Sequence, residues 1–332
     1  MNKNFTSNTI TMAGLMVLCM MLFSLMPAFA GDTLNYRLKW LFNASVAGDI
    51  IADTGGFFKK AGLDVSVNEG GAGKNAIKEL ELGYANFGVA SADQVIRALE
   101  KGADVVVLAQ LFQVNPMQWI YRSDRLEIKG LSDLRGRHIG VTFGGNDETI
   151  MTTLLAKAGL TSKDIRISSV RFDFTPFLKK EVEVWPVYRN SQGVILKERL
   201  AAEGESVKFF NPGDYGVSFV ANSVVTSGTM MEKHPDAVNA FITALLSAWE
   251  FAVDPANEVQ VLAQIKKKDK GTRDDIRQKQ LEATRPLIKP DKGTKIGIID
   301  TGAWQQTESI MVKEKQIKTP VDVTRCLVGP RK

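Results

Sequence analysis

Hydrophobic positions near the start of the chain switch between the period of a strand and that of a helix. Residues 38–42 alternate as in a strand, residues 47–51 have helical spacing, and residues 63–67 alternate again. A strand, helix, strand unit implies a parallel pair with a right-handed crossover, so the loop after the first strand lies where open α/β sheets bind ligands. We therefore expect Trp40 and Asn43 to face a pocket.

Strand and helix segments continue to alternate along the chain, and a second such series begins after a break. The continuously apolar run at 104–110 predicts a strand of a parallel sheet with helices on both faces. A second series begins after Tyr121, and an apolar strand at 218–226 follows it. These observations predict an α/β protein with two lobes, the second of which begins at about residue 123.

Two further segments have clear signals. The helix predicted from Pro235 to Val253 carries a strong apolar face and is expected to be core. Residues 182–190 form a short strand that enters a helix near Asn190, and Pro186 argues against a central position for that strand.

The first thirty residues have the features of an export signal. Lys3 precedes an apolar run at 12–26, and Ala28-Phe29-Ala30 supplies small residues at the two positions that a signal peptidase reads. A membrane anchor is disfavoured because spanning a bilayer takes about 20 apolar residues. We expect export, with cleavage near Ala30.

Composition narrows the possibilities further. The mature chain would have 332 − 30 = 302 residues, which favours two domains. Its one cysteine, Cys326, excludes an internal disulfide. The net charge of +5 is dispersed and has no aromatic residues interleaved with a basic stripe, so nucleic acid is not an expected partner.

Catalytic motifs are scarce. The loop at 69–75 resembles a phosphate loop, but Asn68 and Asn75 occupy positions where that motif needs Gly and Ser or Thr. Neither His138 nor His234 has metal-ligand spacing or a nucleophile signature beside it. We expect no catalytic residue, no metal and no cofactor.

The strand-to-helix turn at 144–146 is the best candidate for ligand contact. Its glycines permit close approach, and we expect Asn146 to cap a helix whose amino end favours an anionic or carbonyl-rich group. The full set of candidate ligand-binding residues is Trp40, Asn43, Ser91, Gln113, Asn115, Gly144, Gly145, Asn146, Trp185, Tyr188 and Asn190. The alternatives are core packing for the aromatic residues, a simple tight turn at 144–146, and closure of their own turns by Asn43 and Asn115.

Several of these segments carry a family resemblance. They are Trp40 with Asn43, Gly-Phe-Phe-Lys-Lys-Ala-Gly-Leu-Asp-Val from Gly56, and the stretches 83–94, 131–141 and 143–146. The chain resembles periplasmic binding proteins of importers for thiamine pyrimidine precursors, taurine, alkanesulfonates and nitrate, and also the fungal thiamine-pyrimidine synthase fold.

The resemblance implies a two-lobed periplasmic binding protein fold (type II) with a ligand cleft between the lobes. In this family the strand at 218–226 returns to the first lobe, so we expect residues 33–122 plus 224–332 to form lobe 1 and residues 123–223 to form lobe 2. It further implies a periplasmic protein that serves an ABC transporter permease at the inner membrane, and we expect a monomer. Among the ligands of such proteins, Trp40 and one of Trp185 or Tyr188 favour a planar heteroaromatic compound stacked on their rings.

One alternative is a binder of a small anion such as a sulfonate, taurine or nitrate, which would use Arg189. Another is a pyrimidine-synthesis enzyme, which is disfavoured because the pattern Asp, Trp, Pro-Asn and His reads Lys39, Trp40, Phe42-Asn43 and Val46 here.

Overall fold

Two five-stranded sheets carry the architecture of this protein. We describe residues 33–71, 73–170 and 173–329 of a computed structural model. The predicted export signal at 1–30 lies outside the described residues. The strands are β1 Leu34–Arg37, β2 Val65–Asn68, β3 Phe87–Ala90, β4 Val106–Gln110, β5 Met117–Arg122, β6 His138–Val141, β7 Arg166–Ser169, β8 Val184–Tyr188, β9 Val207–Phe210 and β10 Ser223–Thr226.

Helices connect these strands and cover the sheets. The α-helices are α1 Ala47–Thr54, α2 Phe57–Lys60, α3 Ala76–Glu81, α4 Ala92–Glu100, α5 Asn146–Lys157, α6 Thr175–Leu178, α7 Gln192–Ala202, α8 Gly228–Lys233, α9 Pro235–Val253, α10 Glu258–Lys268, α11 Asp274–Ile288 and α12 Thr301–Lys313. Short 3₁₀ helices are Ala44–Val46, Leu131–Leu134, Ser162–Asp164, Pro212–Tyr215, Pro255–Asn257 and Val323–Cys326.

The first sheet is mixed, with strand order β2-β1-β3-β10-β4. β1 pairs in parallel with β2 and β3, so the strand, helix, strand unit expected at the start of the chain is present. The expectation of a parallel β4 is wrong, because its neighbour in the sheet is the antiparallel β10. A continuously apolar run indicates that both faces of a strand are buried, but it does not indicate whether the strand is parallel or antiparallel to its neighbours.

The first strand begins four residues and ends five residues earlier than the alternation at 38–42 indicates. β1 ends at Arg37, and the chain then runs irregularly beside the residues that follow β2. The N–H of Leu38 still donates to the carbonyl of Asn68 at 2.8 Å, and Trp40 accepts from the N–H of Gly70 at 3.0 Å. Trp40 therefore follows the carboxyl end of β1 and is not part of the strand.

The second sheet has the order β7-β6-β8-β5-β9. β5 lies between β8 and β9 and is antiparallel to both. The chain therefore changes sheet before Met117, whereas the boundary expected at residue 122 would leave β5 with the first sheet. β10 returns to the first sheet, as the family resemblance implies. The chain from Thr33 onward forms one compact unit that contains both sheets, and its division into two moving lobes stays a prediction.

Pro186 occupies a central strand, contrary to expectation. It lies opposite Trp119 in the antiparallel pairing of β8 with β5. On its other side β8 pairs with β6 only through Val184 and Ile139, so the ladder there has ended before the proline is reached. A proline is tolerated where the missing N–H is not needed by a neighbouring strand.

The predicted helix from Pro235 to Val253 is α9, and its buried face lies in the hydrophobic core beside the first sheet. It is long and apolar enough to cross a membrane by length and composition, but 56% of its most apolar window is buried inside the protein. The ring of Phe241 stacks on Phe87 with a centroid distance of 3.7 Å and on Phe58 with one of 5.0 Å. These contacts fix α9 against β3 and α2.

We expect Gly48→Ala to destabilise the protein. A Cβ at Gly48 in α1 would lie 2.0 Å from Cδ2 of Trp249, which is fully buried in α9. Alanine favours a helix over glycine by about 1 kcal/mol, whereas overpacking a core costs about 1–3 kcal/mol, and a contact this short lies at the upper end. Urea unfolding should show a loss of stability of at least 1 kcal/mol.

The matched control is Gly271→Ala, because a Cβ there has nothing within 4 Å. Equal stability of both variants would show that α1 and α9 are not packed as described.

Candidate functional site

A cavity of about 300 Å³ lies between the two sheets. Its volume is at the lower end of the range for small-molecule sites. The lining residues come from the ends of strands in both sheets and from the loops that follow them. They are Lys39, Trp40, Ser45, Val46, Gly71, Gly73, Lys74, Asn75, Ala76, Val89, Gln94, Met117, Thr142, Phe143, Gly144, Gly145, Asn146, Asp147, Pro186, Val187, Tyr188, Ser191, Gln192 and Asn222.

Five of the candidate residues meet in this cavity. Trp40 comes from the loop after β1, the turn Gly144, Gly145 and Asn146 follows β6, and Tyr188 ends β8. Each lies at or just beyond the carboxyl end of a strand, where α/β sheets place ligands. Trp40 and the glycine turn therefore belong to one site, although they lie more than 100 residues apart in the sequence.

Two asparagine candidates lie outside the cavity and stabilise local structure instead. Asn43 accepts from the N–H of Ser45 at 2.8 Å and so caps a 3₁₀ helix. Asn115 donates to the carbonyl of Phe219 at 2.7 Å and accepts from the N–H of Met117. Asparagine commonly closes turns in this way, and both residues follow that alternative.

Ser91 caps helix α4 and also lies outside the cavity. Its side chain and N–H both bond to Oε1 of Gln94 at 3.2 Å, which forms a capping box. The predicted site residue was Ser91, whereas Gln94 is the one that lines the cavity. The capping-box spacing was the signal that could have pointed to Gln94.

The remaining three candidates are held elsewhere. Gln113 donates to the carbonyls of Gln110 and Ile298. Trp185 is a core residue that packs against Phe177 with a centroid distance of 6.0 Å. Asn190 is fully buried and donates to Oγ1 of Thr284 at 2.9 Å. For Trp185 the core-packing alternative is correct, because its side chain points to the opposite face of β8 from Tyr188.

The turn after β6 is built differently from the prediction. Gly145, rather than Asn146, is the N-cap residue of α5. Two acidic residues in the first turn bind the loop's own backbone: Asp147 accepts from the N–H of Thr142 at 2.6 Å, and Glu148 accepts from that of Gly144 at 2.7 Å. These carboxylates offset the positive end of the helix, so the helix terminus alone is a poor anion site.

Because Gly145 is the N-cap residue, the side chain of Asn146 is available to bond to other polar side chains in the cavity. We define the Lys39 cluster as Lys39, Asn146, Tyr188 and Asn222. Nζ of Lys39 donates to the hydroxyl of Tyr188 at 3.0 Å and to Oδ1 of Asn146 at 3.3 Å. The same hydroxyl accepts from Nδ2 of Asn146 and donates to Oδ1 of Asn222, both at 3.3 Å. The cluster thus joins residues from the two sheets across the cavity.

Asp147 is the acidic residue of the cavity lining. It is almost completely buried, and burial raises the pKa of its carboxyl to about 6, with bonds to the Thr142 backbone and the charge of Lys39 acting in the opposite direction. Near neutral pH it is therefore mostly ionised and becomes neutral in mildly acidic solution.

The glycine-rich loop at 69–75 supports the first wall of the cavity. Oε1 of Glu69 accepts from the N–H of Phe42 at 2.7 Å, and Gly70 packs directly on the backbone of Leu38 and Lys39. Asn75 caps α3 by accepting from the N–H of Lys78. The loop does not match the phosphate-binding motif. Its contacts instead hold the backbone of residues 38–42, which includes Trp40.

Groups suited to catalysis do not collect in this cavity. His138 lies in β6 with its Nε2 2.7 Å from Oγ of Ser168, and neither it nor His234 is part of the cavity lining. Within the described ranges no group of three or more His, Cys, Asp or Glu side chains is placed to hold a metal ion.

Comparison with known proteins places this geometry in a family. The chain is 26% identical over 237 residues to a Haemophilus influenzae protein assigned to thiamine biosynthesis, which covers 70% of this chain and 73% of that protein. It is 25% identical over 230 residues to the formylaminopyrimidine-binding protein of Halalkalibacterium halodurans, with 68% of each chain covered.

Among solved structures, the alkanesulfonate-binding protein SsuA of Xanthomonas axonopodis pv. citri bound to MOPS has a TM-score of 0.70 at 16% identity, and the match covers 90% of this chain and 100% of that one. This similarity shows that the protein has the two-lobed periplasmic binding protein fold. A family model described as NMT1/THI5 like matches residues 43–258, which is more than half of the chain. The chain therefore belongs to the NMT1/THI5 like family.

Proposed function

We propose that this protein is the solute-binding component of an ATP-driven importer and that it binds a small planar heteroaromatic compound in the cavity between its sheets. The observation that carries the proposal is the meeting of Trp40 and Tyr188 with amide side chains and backbone of the Gly144–Asn146 turn in one cavity of about 300 Å³. A flat apolar surface beside a few convergent polar groups is the usual composition of a small-molecule site.

The comparisons support the same reading. One relative is named for binding a formylaminopyrimidine, which is a planar heteroaromatic compound, and a structure of the same fold is named for binding an alkanesulfonate. A periplasmic location and a permease partner at the inner membrane follow from this proposal together with the export signal expected at 1–30. Closure of the two halves over the ligand would desolvate Trp40 and the turn together.

Binding fits the cavity better than catalysis does. Among the described residues that line the cavity there is no histidine and no cysteine, and the carboxylate of Asp147 is bound by the backbone of its own loop. General acid–base chemistry needs a group within hydrogen-bond reach of the reacting atom, and histidine is the residue most often used. An enzyme of pyrimidine synthesis therefore remains the disfavoured alternative.

A small anion such as a sulfonate is the second candidate ligand. Two cationic residues in the cavity lining, Lys39 and Lys74, favour it. Binding of the anion by Arg189 is not supported, because Arg189 is not among the residues that line the cavity. The acidic first turn of α5 also works against an anion at the helix terminus.

We expect Trp40→Ala to weaken ligand binding by about tenfold or more. Loss of stacking removes about 1 kcal/mol in addition to the lost burial of apolar surface. Native mass spectrometry of protein purified from cells would first identify a retained compound, and calorimetric titration would then compare the wild type with the variant.

The control is Tyr84→Ala, which removes an aromatic side chain that is exposed and lies outside the cavity. Thermal melts would verify that both variants fold. Wild-type affinity in a folded Trp40 variant would mean that the ligand binds elsewhere, and a retained compound without a ring would favour the second candidate.

A further inference from the structure

Lys39 is the half-buried cation of the cavity lining, whereas the second lysine of the lining, Lys74, is exposed to solvent. The ammonium group of Lys39 donates to two neutral oxygens, on Tyr188 and Asn146. Among the ion pairs formed by the described residues, within 4.0 Å, none includes Lys39. A half-buried ammonium group beside neutral acceptors is incompletely compensated, because hydrogen bonds to neutral groups replace only part of its hydration.

Asp147 is the obvious candidate for a countercharge, but its geometry assigns it another role. It lies close enough to influence Lys39 electrostatically, yet the two groups do not form an ion pair. Its Oδ2 is bound by the backbone N–H of Thr142 at 2.6 Å, and a Cβ built on Gly145 would lie 2.5 Å from its Oδ1. The carboxylate is therefore packed into the turn after β6, where it holds the loop.

The position of the ammonium group relative to the aromatic walls decides what it can bind. Lys39 directly precedes Trp40 in the loop after β1, and its Nζ lies 5.6 Å from the ring centroid of Tyr188. A ring held by these aromatic residues would bring a substituent within reach of Nζ and of Nδ2 of Asn146. Both groups are hydrogen-bond donors, and one is charged.

We propose that the ligand is a planar heteroaromatic anion whose acidic group, a carboxylate, sulfonate or phosphate, is bound by Lys39. This inference rests on the proposed function and narrows its ligand class. Lys39 is then the residue that determines specificity: it selects charged over neutral ring compounds, and in the bound state the acidic group supplies the charge that the protein does not.

The test uses two ring compounds that differ in charge but hardly in shape, pyridine-3-carboxylate and pyridine-3-carboxamide. Calorimetric titration at pH 7.5 should show that the wild type binds the carboxylate at least about tenfold more tightly, because a charge-assisted hydrogen bond contributes more than a neutral one. In Lys39→Met, which keeps the length of the side chain and removes its charge, the preference should fall below about threefold.

Lys78→Met is the matched control. Lys78 lies on α3 near the cavity, is exposed, and is not part of the lining, so this variant changes the net charge equally while keeping the preference. A preference that persists in the Lys39 variant would overturn the proposed role of Lys39.

The titrations also separate this inference from the proposed function. Equal or tighter binding of the carboxamide by the wild type would overturn the anion but leave a ring-binding protein. Binding of 2-aminoethanesulfonate with neither pyridine bound would overturn the ring and favour the aliphatic anion. If none of the three compounds bound at millimolar concentration, the compound retained in native mass spectrometry would decide: a neutral ring compound would overturn the inference and leave the proposed function, and a compound without a ring would overturn both.

Discussion

Replacing Gly70 with alanine should abolish most ligand binding even though Gly70 does not line the cavity. A Cβ at this position would lie 2.1 Å from the carbonyl oxygen of Leu38 and 2.3 Å from the carbonyl carbon of Lys39. These are backbone atoms and cannot rotate away, so either the loop at 69–75 or the segment that carries Lys39 and Trp40 must move. The Gly70 N–H also donates to the carbonyl of Trp40, and a shift would lengthen that bond.

The size of the effect follows from the precision that binding sites need. A binding side chain has to be held within about 0.5 Å of its productive position, and relief of a 2.1 Å contact requires a displacement of more than that. We expect the affinity for the retained compound to fall by at least about tenfold, while stability falls by about 1–3 kcal/mol.

Calorimetry and urea unfolding of Gly70→Ala, with Gly271→Ala as control, would measure both quantities. A folded Gly70 variant with wild-type affinity would show that the support of Trp40 by this loop has no functional role.

The periodic pattern predicted the elements well because it reports burial, which is an average over many contacts. The helix at Pro235–Val253 was predicted with its observed bounds, and the glycine turn was correctly located after a strand of the second sheet. Alternation placed the first strand four residues too late, because the irregular segment after β1 continues to pair with the residues following β2. Burial continued there although the ladder had ended.

Side-chain roles were predicted less well because polar residues have several partners to choose from. Asn43, Asn115 and Asn146 are all asparagines in loops, and only the glycines beside Asn146 distinguish it in the sequence from the other two. In the structure the first two close local turns, whereas the third points into the cavity because Gly145 takes the N-cap position. Short-range hydrogen bonds available to Asn and Asp compete directly with ligand contacts.

The residues that the sequence analysis missed owe their position to tertiary pairing. Asn222 precedes β10, and it reaches the cavity only because β10 inserts between β3 and β4. Lys39 could have been found from its place next to Trp40, since a loop residue after a strand end is a natural candidate. A lysine without a visible partner in the sequence is, however, more often a solvated surface group.

The stability of the protein should fall as the pH rises from about 4 to about 7 because of Asp49. This residue lies in α1, is 1% exposed, and accepts a hydrogen bond of 2.6 Å from the hydroxyl of Tyr36. Burial raises the pKa of its carboxyl from 3.8 to about 7, and the bond from Tyr36 opposes this only in part. The folded state therefore holds a proton on Asp49 over a range in which the unfolded chain has lost it.

The linkage between proton binding and folding gives the sign and size of the contribution of Asp49 to the free energy of unfolding. Where the folded state binds more protons than the unfolded state, stability decreases with increasing pH, so the contribution is fully present below pH 3.8 and is lost as the pH rises through about 7. One pKa unit corresponds to about 1.36 kcal/mol, so the difference between 3.8 and about 7 amounts to about 4 kcal/mol.

Asp49→Asn isolates this effect from all other titrating groups. The amide keeps an acceptor for the Tyr36 hydroxyl and cannot ionise, so the variant should gain stability relative to the wild type by up to about 4 kcal/mol between pH 4 and pH 8. Tyr36→Phe is a second informative variant, because loss of the hydroxyl removes the hydrogen bond that lowers the pKa of Asp49. In this variant the loss of stability with rising pH should therefore occur at a higher pH than in the wild type. Urea unfolding of the three proteins across this pH range is the measurement. A stability difference between the wild type and Asp49→Asn that stays constant with pH would show that Asp49 is hydrated or paired in solution, and α1 would then have to pack less tightly on β1 and α9 than the buried contacts of Tyr36 and Trp249 indicate.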